Sequence, residues 1–476
     1  MKNHFESKKI GVWGFGRVGK SVVTHLFSTG CQLTVLDTRT LSPEEKQFLA
    51  NKNISLVTLQ ELPQFLADND FVVPSPGIDL RPHTAYKHKW LSELDLFARS
   101  WHKPYIAITG TVGKTTVTHL LGQLLQKSGK RVTVGGNIGI AMLDLLSQHD
   151  SVDLAVLEVS SFQLELTMHF APDLALWTNF HENHLDRHNT LQEYFDAKAA
   201  IMRHQHRGQH ALVPLELAGK LFPGEVVEKY RSHPGLTNRH FFSITPPTPE
   251  QLAAIPDEAT LFFIRDEQIF MSTPHRDATQ STLHKEHSIA QLTPELLEIT
   301  FAQNWLAICA MLALQNISCT ELTAWAPSLN VPAHRLEKVA TIAGVDFYND
   351  SKATTPQSTL AAVNKLSQRP VILFLGGLSK GIDRTNLVKL LPPQVKMVYC
   401  FGKEAPMLSA LCATYGIPCK TYATLDDSFY AAAKGARAGD QLLFSPAGSS
   451  FDLFANYEAR GICFKQLVQN YQKNAK

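Results

Sequence analysis

Short runs of apolar and β-branched residues recur along the chain, and stretches with helical periodicity separate them. Strands that are buried on both faces of a parallel sheet read as continuous apolar runs, and helices connect them. The alternation therefore predicts an α/β fold with mainly parallel sheets. The predicted strands are Ile10–Trp13, Leu33–Leu36, Phe71–Val73, Ile106–Ile108, Leu154–Leu157, Ala175–Trp177, Val371–Leu375, Met397–Phe401 and Gln441–Phe444.

The length of the chain and two interruptions of this pattern indicate three domains. The 476 residues correspond to about three domains of roughly 150 residues each. The alternation breaks around proline and polar residues at 99–104 and 327–332, and new strands begin soon afterwards. We therefore predict domains over residues 1–100, 101–331 and 332–476. Residues 208–300 are the least regular, with predicted loops at Pro246–Pro249 and Ser272–Ser288, and we assign them no chemistry.

Composition narrows the class of protein. The 45 Lys and Arg residues nearly balance the 43 Asp and Glu residues, so the chain lacks the basic field that drives binding to nucleic acid. We find no apolar signal segment after the polar start and no apolar run of the roughly 18 residues that a membrane span needs. Seven cysteines without a C-x-x-C pair favour reduced thiols over a disulfide or zinc framework. We expect a soluble, cytosolic monomer.

A glycine-rich loop follows the first predicted strand. The loop G-F-G-R-V-G contains Gly14, Gly16 and Gly19 and precedes a helical pattern, and Asp37 ends the next strand. Glycines allow a tight turn and close backbone approach, and the start of the helix offers N–H groups to a diphosphate. Three interpretations remain: a turn without a ligand, an NAD-dependent dehydrogenase, and a protein that binds another nucleotide diphosphate.

A second phosphate loop, T-G-T-V-G-K-T-T at 109–116, follows another predicted strand and precedes a helical run. The strict G-x-x-x-x-G-K-[ST] pattern fails, because Ile108 stands where the first glycine belongs. The shorter loop can still cradle phosphate oxygens, with Lys114 reaching between the β- and γ-phosphates and the Thr115 hydroxyl on Mg²⁺. We predict that it binds ATP. Two such loops argue against a simple dehydrogenase and favour a nucleotide-linked substrate on the other loop.

Acidic, histidine and hydroxyl side chains follow two strands of the same domain. Glu158 begins the run E-V-S-S-F-Q-L-E after its strand, where a Mg²⁺ ligand is expected in a phosphate-loop domain. The hydroxyls and amide of this run suit a substrate clamp. The run N-F-H-E-N-H-L-D-R-H at 179–188 is typical of a hydrogen-bonded surface loop, but its place after a strand favours a metal site. Lys198, by default, would be an exposed helix lysine.

Together these motifs resemble those of the Mur ligases of peptidoglycan synthesis. The run at 158–165 and the run N-D-S-K-A-T at 349–354 resemble the member that adds D-glutamate rather than those that add other amino acids. The resemblance covers the whole chain. It implies a Rossmann-like N-terminal domain for the UDP of the substrate, a central phosphate-loop ATPase domain with a mainly parallel sheet, and a Rossmann-like C-terminal domain for the amino acid.

The resemblance also implies the reaction. ATP would activate the terminal carboxylate of UDP-N-acetylmuramoyl-L-alanine as an acyl phosphate, and the amine of D-glutamate would then attack it with loss of phosphate. The protein would supply positioning and electrostatic stabilisation.

Residue roles follow from the same resemblance. Thr115 and Glu158 would hold one Mg²⁺, and His184 and a carbamylated Lys198 a second, since a carbamate turns an amine into an oxygen ligand. The catalytic residues would be Lys114, His184 and Lys198. The ATP-binding residues would be Gly110, Thr111, Gly113, Lys114, Thr115, Thr116, Asn304, Arg335, Asp350 and Lys352. The UDP-substrate-binding residues would be Gly16, Arg17, Val18, Asp37, Thr38, Arg39, Gly77, Asn137, Ser160 and Gln163. The D-glutamate-binding residues would be Thr354, Lys380, Ser450 and Tyr457.

The sequence departs from the family pattern near the nucleotide. Val112 replaces a phosphate-loop Asn, Asn183 replaces the acid before the metal histidine, and the usual N-A-D-D run is missing at 211–216. Of the adenine motif G-x-H-N-x-x-N only Asn304 remains, with Gln303 and Ala307 at two other motif positions. We therefore expect a higher KM for ATP than in a ligase that keeps the full motif. A catalytically silent protein that binds the UDP-linked substrate and a sibling ligase for another amino acid stay alternatives.

Overall fold

The computed structural model describes residues 5–221, 238–253, 255–256, 258–276, 282–379 and 381–474. In these residues strands and helices alternate, and the strands form three sheets. Each of the nine predicted strands is present, with its ends shifted by at most two residues. The prediction of an α/β fold with mainly parallel sheets is confirmed.

The first sheet is parallel, with strand order β3-β2-β1-β4. Because β1 lies between β2 and β4, the residues that follow these three strands meet at one edge, where sites in open α/β sheets form. The strands are β1 Lys9–Trp13, β2 Gln32–Leu36, β3 Ser55–Val57 and β4 Phe71–Pro74. The α-helices of this region are Arg17–Phe27, Pro43–Asn51, Leu62–Asp68 and Glu93–Ser100, with 3₁₀ turns at Leu59–Glu61 and Arg81–Lys89.

The second sheet has the order β13-β12-β11-β10-β9-β8-β5-β7-β6 among the described residues and is parallel from β6 to β11. Its strands are β5 Tyr105–Thr109, β6 Val132–Gly136, β7 Leu154–Glu158, β8 Leu174–Trp177, β9 His210–Pro214, β10 Asn238–Ser243, β11 Leu261–Arg265, β12 Gln268–Arg276 and β13 Thr282–Gln291. Its α-helices are Lys114–Lys127, Ser161–Leu164, Leu191–Ala199, Ala218–Leu221, Pro249–Ala253, Pro294–Ile299, Ala302–Ala313 and Leu322–Trp325. Its 3₁₀ turns are Met142–Ser151, Ala200–Met202, Leu215–Leu217 and Ala326–Ser328.

The predicted loop at Ser272–Ser288 is wrong for its described residues. They belong to β12 and β13, which pair antiparallel at the edge of the second sheet. In an antiparallel pair with one solvated face, only alternate positions need an apolar side chain. Such strands contain no continuous apolar run, so a search for such runs does not detect them. Pro274 lies within β12, beyond Ser272, where the pairing of β12 with β11 ends, so it pairs with β13 alone.

The third sheet has the order β14-β15-β19-β16-β17-β18 and is parallel except for the β14–β15 pair. Its strands are β14 Glu337–Ile342, β15 Val345–Asn349, β16 Val371–Gly376, β17 Val395–Phe401, β18 Cys419–Tyr422 and β19 Gln441–Phe444. Its α-helices are Pro356–Leu366, Thr385–Lys389, Ala405–Thr414, Leu425–Gly435 and Tyr457–Asn474.

The chain divides into two compact units. One comprises Met1–Phe180 and Gln192–Asn330 and contains the first two sheets; the other comprises His181–Leu191 and Val331–Lys476 and contains the third. In the first unit, one hydrophobic cluster joins both sheets, with Val22 and Leu26 from the first helix and Leu145 from the central region. The predicted boundaries at residues 100 and 331 stay predictions. Within the described ranges, no helix is both long and apolar enough to cross a membrane.

Candidate active site

Three neighbouring strands of the second sheet end at one edge and bring the central site residues together. Ile108 of β5 pairs with Glu158, the last residue of β7, and Thr109 pairs with Trp177, the last residue of β8. The phosphate loop follows β5 directly, and Thr178 and Asn179 follow β8. The phosphate loop and Glu158 therefore lie at the same edge of the sheet.

The phosphate loop leads into the helix Lys114–Lys127 through Gly113, which has φ +85°. This left-handed conformation favours glycine, and an added Cβ would also lie 2.7 Å from Asn304 Oδ1. The first N–H groups of a helix have no partner within the helix, which makes its start suited to phosphate. Gly113 and Asn304, predicted separately as ATP-binding residues, are thus neighbours.

Asn179 holds the loop at the position where the family usually has an Asn of its own. Its Oδ1 accepts the Val112 N–H at 2.9 Å, its Nδ2 donates to the Val112 carbonyl at 3.0 Å, and its own carbonyl accepts the Thr111 N–H at 3.1 Å. Thr178 Oγ1 also donates to the Val112 carbonyl, at 2.8 Å. Because these bonds engage only the backbone of residue 112, a valine is tolerated there.

Two lysine side chains converge on one backbone carbonyl of this loop. Lys114 Nζ donates to the Gly110 carbonyl at 2.8 Å and to the Thr111 carbonyl at 3.0 Å, and Lys198 Nζ donates to Gly110 at 2.8 Å. Lys198 is only 1% exposed, so its interpretation as an exposed helix lysine is wrong. Burial and the nearby Lys114 charge lower the pKa of Lys198 well below its usual value, against a smaller opposing effect of Glu158.

Lys198 Nζ also lies 4.5 Å from the centre of the Tyr194 ring. The Tyr194 hydroxyl is 3.3 Å from Thr111 Oγ1, and burial raises the pKa of Tyr194. The helix Leu191–Ala199 therefore aligns a phenol and an amine behind the phosphate loop.

Oxygen atoms at this edge fit a hard divalent cation. Glu158 is buried, and its Oε1 accepts a hydrogen bond from Asn137 Nδ2 at 3.1 Å. Thr115, which carries a hydroxyl, is buried on the first turn of the helix Lys114–Lys127. In the described part of the chain, no group of three His, Cys, Asp or Glu side chains is arranged to hold a metal. Mg²⁺ commonly takes one or two protein oxygens and completes its shell with phosphate and water, which these residues allow.

His184 belongs to the segment that groups with the second unit. It has φ +58°, a conformation uncommon for a non-glycine residue, and its N–H is accepted by Asn183 Oδ1 at 2.9 Å. Asn183, which stands where the family usually has an acid, thus shapes this turn. The assignment of His184 to a Mg²⁺ with Lys198 stays a prediction.

The three residues expected near adenine differ from one another in their surroundings. Asn304 Nδ2 donates to Thr300 Oγ1 at 2.7 Å, and Gln303 Nε2 donates to the Thr178 carbonyl at 3.4 Å. Ala307 is 1% exposed and packs in a hydrophobic cluster. Gln303 therefore contacts the segment that holds the phosphate loop, whereas Ala307 is part of the core. The expected increase in the KM for ATP stays a prediction.

Ser160 and Gln163 form a capping box at the start of the short helix Ser161–Leu164. Gln163 Oε1 accepts the Ser160 N–H at 3.0 Å, and Gln163 Nε2 donates to Glu93 Oε2 at 3.1 Å. Glu93 is buried on the first turn of the helix Glu93–Ser100. Burial raises the pKa of Glu93 to about 7, although Gln163 and the charge of Arg17 lower it in part. Glu93 therefore fixes the amide of the predicted substrate clamp.

This buried carboxyl predicts a specific dependence of stability on pH. The folded-state pKa of Glu93, about 7, lies above the ordinary value, so ionisation opposes folding as the pH rises through the window from roughly 4.5 to 7. We expect Glu93→Gln to remove this loss. We compare the difference in melting temperature, variant minus unmodified protein, at the two pH values. This difference should be at least about 3 °C higher at pH 8 than at pH 5.

Thermal unfolding at the two pH values measures this difference. Burial also raises the pKa of Asp350 to about 7, but its contribution to the pH dependence is the same in both proteins and drops out of the difference. Glu61→Gln is the control, since that carboxylate is exposed and its pKa is lowered by hydrogen bonds to Thr58. A pH-independent difference for Glu93→Gln would contradict the prediction.

The glycine-rich loop of the first sheet has its expected geometry. Gly14 has φ +94°, and a Cβ on Gly19 would lie 1.9 Å from the Gly14 carbonyl oxygen, so both positions require glycine. Asp37 Oδ2 accepts the Phe15 N–H at 2.6 Å and Asp37 Oδ1 accepts the Arg39 N–H at 2.9 Å. Asp37 therefore joins the glycine loop to the turn after β2.

Arg17 connects this loop to the second sheet. Its Nη1 donates to the Gly139 carbonyl at 2.7 Å and its Nη2 to the Asn137 carbonyl at 3.0 Å. Asn137 in turn donates to Glu158. The predicted UDP-binding loop, the predicted substrate-binding residue Asn137 and the predicted metal ligand Glu158 are therefore linked by hydrogen bonds. All assignments to the UDP-linked substrate, those of Val18, Thr38 and Gly77 included, stay predictions.

In the second unit, Arg335 lies in a turn between two non-glycine residues with positive φ, His334 at +65° and Leu336 at +48°. Such conformations are costly and persist where the surroundings impose them. Asp350 Oδ1 accepts the Leu336 N–H at 3.0 Å, and Ser445 Oγ donates to Asp350 Oδ2 at 2.7 Å. Asp350 therefore holds the turn that carries Arg335.

The predicted D-glutamate residues follow the carboxyl ends of β15, β16 and β19, which are neighbours. The Lys352 ammonium lies 4.7 Å from the centre of the Tyr457 ring, and Ser450 is buried. Lys380 lies outside the described residues. Arg460, which is fully buried, donates to Ser351 and to the Gly448 carbonyl and so joins two of these segments.

Sequence analysis missed three residues of these sites. Asn179 is recognisable in the sequence as an amide two residues after a predicted strand, but its hydrogen-bond partner could not be predicted. Glu93 and Arg460 had no signal, because a charged residue on a helix is exposed by default and only the tertiary fold buries these two.

Family models match all three parts of the chain. The Mur ligase MurD-like N-terminal domain matches residues 8–89, the Mur ligase middle domain 108–225, and the Mur ligase glutamate ligase domain 334–448. Among solved structures, the UDP-N-acetylmuramate–alanine ligase of Thermotoga maritima is similar in fold, with a TM-score of 0.53, 18% identity, and coverage of 98% of this chain and 100% of that one. The MurF ligase of the same organism in complex with ADP gives a TM-score of 0.53, 14% identity, and coverage of 100% and 96%.

Curated relatives are more similar in sequence. The UDP-N-acetylmuramoylalanine–D-glutamate ligase of Desulfotalea psychrophila is 33% identical over 96% of this chain and 95% of its own. The protein of the same name from Koribacter versatilis is 31% identical over 98% and 99%. Such identity over nearly the full length, on the same three domains, shows the family: this chain belongs to the Mur ligases and, among them, to the UDP-N-acetylmuramoylalanine–D-glutamate ligases.

Proposed function

We propose that this protein uses ATP to join D-glutamate to UDP-N-acetylmuramoyl-L-alanine, a step in the synthesis of peptidoglycan precursors. The observation that carries the proposal is the edge of the second sheet, where Lys114, Lys198 and the buried Glu158 meet at the phosphate loop. The reaction of an NAD-dependent dehydrogenase does not require a second phosphate loop with two lysines and a carboxylate. The curated relatives bear the name of the same reaction.

The chemistry needs activation, because a carboxylate is a poor acceptor for an amine. The carboxylate oxygen of the substrate attacks the γ-phosphorus of ATP, the bond to the bridging oxygen breaks, and ADP leaves. The amine of D-glutamate then attacks the acyl carbon, and the phosphate leaves with its bonding electrons while the nitrogen gives up a proton. In the first step two anions meet, so the Lys114 ammonium at the Gly110 and Thr111 carbonyls offsets charge on the transferred group.

We assign the bound cation, Mg²⁺, to Thr115 and Glu158, whose oxygens suit it. When bound, Mg²⁺ would neutralise charge on the nucleotide phosphates. A carbamate on Lys198 and the imidazole of His184 would serve a second Mg²⁺. Asn137 contributes by donating to Glu158 Oε1, which holds that carboxylate in one orientation.

The remaining assignments divide by sheet. The loop at Gly14–Gly19, held by Asp37, would bind the UDP. Arg17 donates to the Asn137 carbonyl and would so fix Asn137 relative to this loop. Asn137 would contact the muramoyl-peptide part of the same substrate. Arg335, Asp350 and Lys352 are assigned to ATP, and Thr354, Lys380, Ser450 and Tyr457 to D-glutamate. We also propose a monomer in the bacterial cytosol, where the seven cysteines, all free, would stay reduced.

Phosphate release tests the function. The protein is mixed with ATP, Mg²⁺ and UDP-N-acetylmuramoyl-L-alanine, and D-glutamate, L-glutamate, glycine, L-alanine or diaminopimelate is added in turn. We expect release with D-glutamate alone. Release with another amino acid would assign a sibling reaction, and binding of the UDP-linked substrate without any release would show a catalytically silent protein.

A further inference from the structure

A fully buried arginine lies beneath the loop that follows β16. The side chain of Arg384 has 0% exposure, its Nη2 donates to the Gly377 carbonyl at 2.8 Å, and its Nη1 donates to the Gly376 carbonyl at 3.3 Å. Its Nη2 also lies 3.3 Å from a carboxylate oxygen of Glu404. Burial lowers the pKa of Arg384, and Glu404 and Asp452 oppose this effect.

The carboxylate of Glu404 reaches the far end of the same loop. It accepts the Ser379 N–H at 3.0 and 3.1 Å, and Ser379 Oγ donates to it at 3.2 Å. One ion pair thus holds both ends of residues 376–379: the arginine binds the first two carbonyls and the glutamate binds the last amide and hydroxyl. Ser379 immediately precedes Lys380.

The same arginine packs against a second loop, at residues 446–450. Leu378 and Ser449 exchange two backbone hydrogen bonds of 2.9 Å, and a Cβ on Gly448 would lie 2.4 Å from Arg384 Nη2. Ser450 is the next residue after this pairing. The position of Ser450 relative to the loop at 376–379 therefore depends on the ion pair beneath them.

Burying a charged side chain costs desolvation free energy. Apolar side chains of similar volume often stabilise a protein as well as a buried ion pair does, and they would not fix the directions of two carbonyls and an amide. The planar guanidinium, with its donors in a rigid fork, does fix them. The contacts of Arg384 and Glu404 are those of a device that sets loop shape.

We propose that the Arg384–Glu404 ion pair is a positioning device for the amino-acid site, which shapes the loops at 376–379 and 446–450 so that they bind the carboxylates of D-glutamate. Neither residue touches the substrate. The inference rests on the proposed function, since it assigns D-glutamate to these loops. Loss of the pair should weaken the binding of D-glutamate while leaving the earlier, ATP-dependent activation of the other substrate intact.

The test compares KM values for the three substrates in Arg384→Met and Glu404→Gln. The second variant retains the volume of the side chain and removes only its charge. We expect the KM for D-glutamate to rise at least tenfold in each, and the KM values for ATP and UDP-N-acetylmuramoyl-L-alanine to stay within twofold. Arg369→Met is the matched control, because Arg369 pairs with Asp346 in the same domain and lies just before β16, at the opposite end of that strand.

The outcomes separate the two proposals. If the unmodified protein releases no phosphate in response to D-glutamate, the proposed function fails. If it does, and both variants keep the KM of Arg369→Met for D-glutamate, the positioning role fails. A uniform rise in all three KM values would also overturn it, since that indicates a general structural defect. If Arg384→Met does not fold, Glu404→Gln decides.

Discussion

Lys114→Ala should reduce D-glutamate-dependent phosphate release by about a hundred- to a thousandfold. The Lys114 ammonium is fixed at the phosphate loop by two carbonyls, at 2.8 and 3.0 Å, and an alanine leaves no cation there to offset charge on the transferred phosphoryl group. Removal of a single preorganised electrostatic group from an active site commonly costs on the order of a hundred- to a thousandfold in kcat. The measurement is kcat at saturating concentrations of all three substrates.

Lys127→Ala is the matched control, because Lys127 lies on the last turn of the same helix and is exposed. The control should retain full activity. Binding of UDP-N-acetylmuramoyl-L-alanine to Lys114→Ala should also be unchanged, since the glycine loop and Arg17 lie elsewhere. A kcat for Lys114→Ala within tenfold of the unmodified protein would contradict the role of this lysine in phosphoryl transfer.

Two of the strands that sequence analysis found are buried along their whole length. Val371–Gly376 is buried at every position, and Tyr105–Thr109 likewise, so burial on both faces leaves a continuous apolar run that is readable without any partner. The hairpin of β12 and β13 lacks this property because it lies at a sheet edge. A search for continuous apolar runs therefore misses this hairpin.

The same distinction applies to the sites. Gly14, Gly113 and Lys114 were predictable because their roles depend on backbone conformation and on local spacing, which the sequence contains directly. The roles of Asn179, Glu93 and Arg384 depend on partners at distant positions: Val112, Gln163 and Glu404. No spacing rule connects such residues. Val112 illustrates the consequence, because its backbone N–H and carbonyl are held by the side chain of Asn179, 67 residues away.

Lys198 combines both cases, since the resemblance assigned its role and the fold supplies the reason. Carbamylation joins a neutral amine to CO₂ with release of a proton, so it requires an uncharged lysine. Burial and the charge of Lys114 lower the pKa of Lys198, and its Nζ is held at the Gly110 carbonyl, 2.8 Å away. The amine is thus available at a pH where an exposed lysine would be almost fully protonated.

Lys198→Arg should therefore lower kcat at least about a hundredfold, because a guanidinium retains the charge and cannot supply an oxygen ligand to Mg²⁺.

Carbon NMR of protein equilibrated with ¹³C-bicarbonate should show a carbamate signal in the unmodified protein and in Lys127→Arg, and none in Lys198→Arg. Acidification should remove the signal, since a protonated carbamate loses CO₂. Lys198→Met separates loss of the ligand from the extra bulk of arginine, and should be as inactive. Activity of both variants within tenfold of the unmodified protein would show that the buried amine only supports the Gly110 turn.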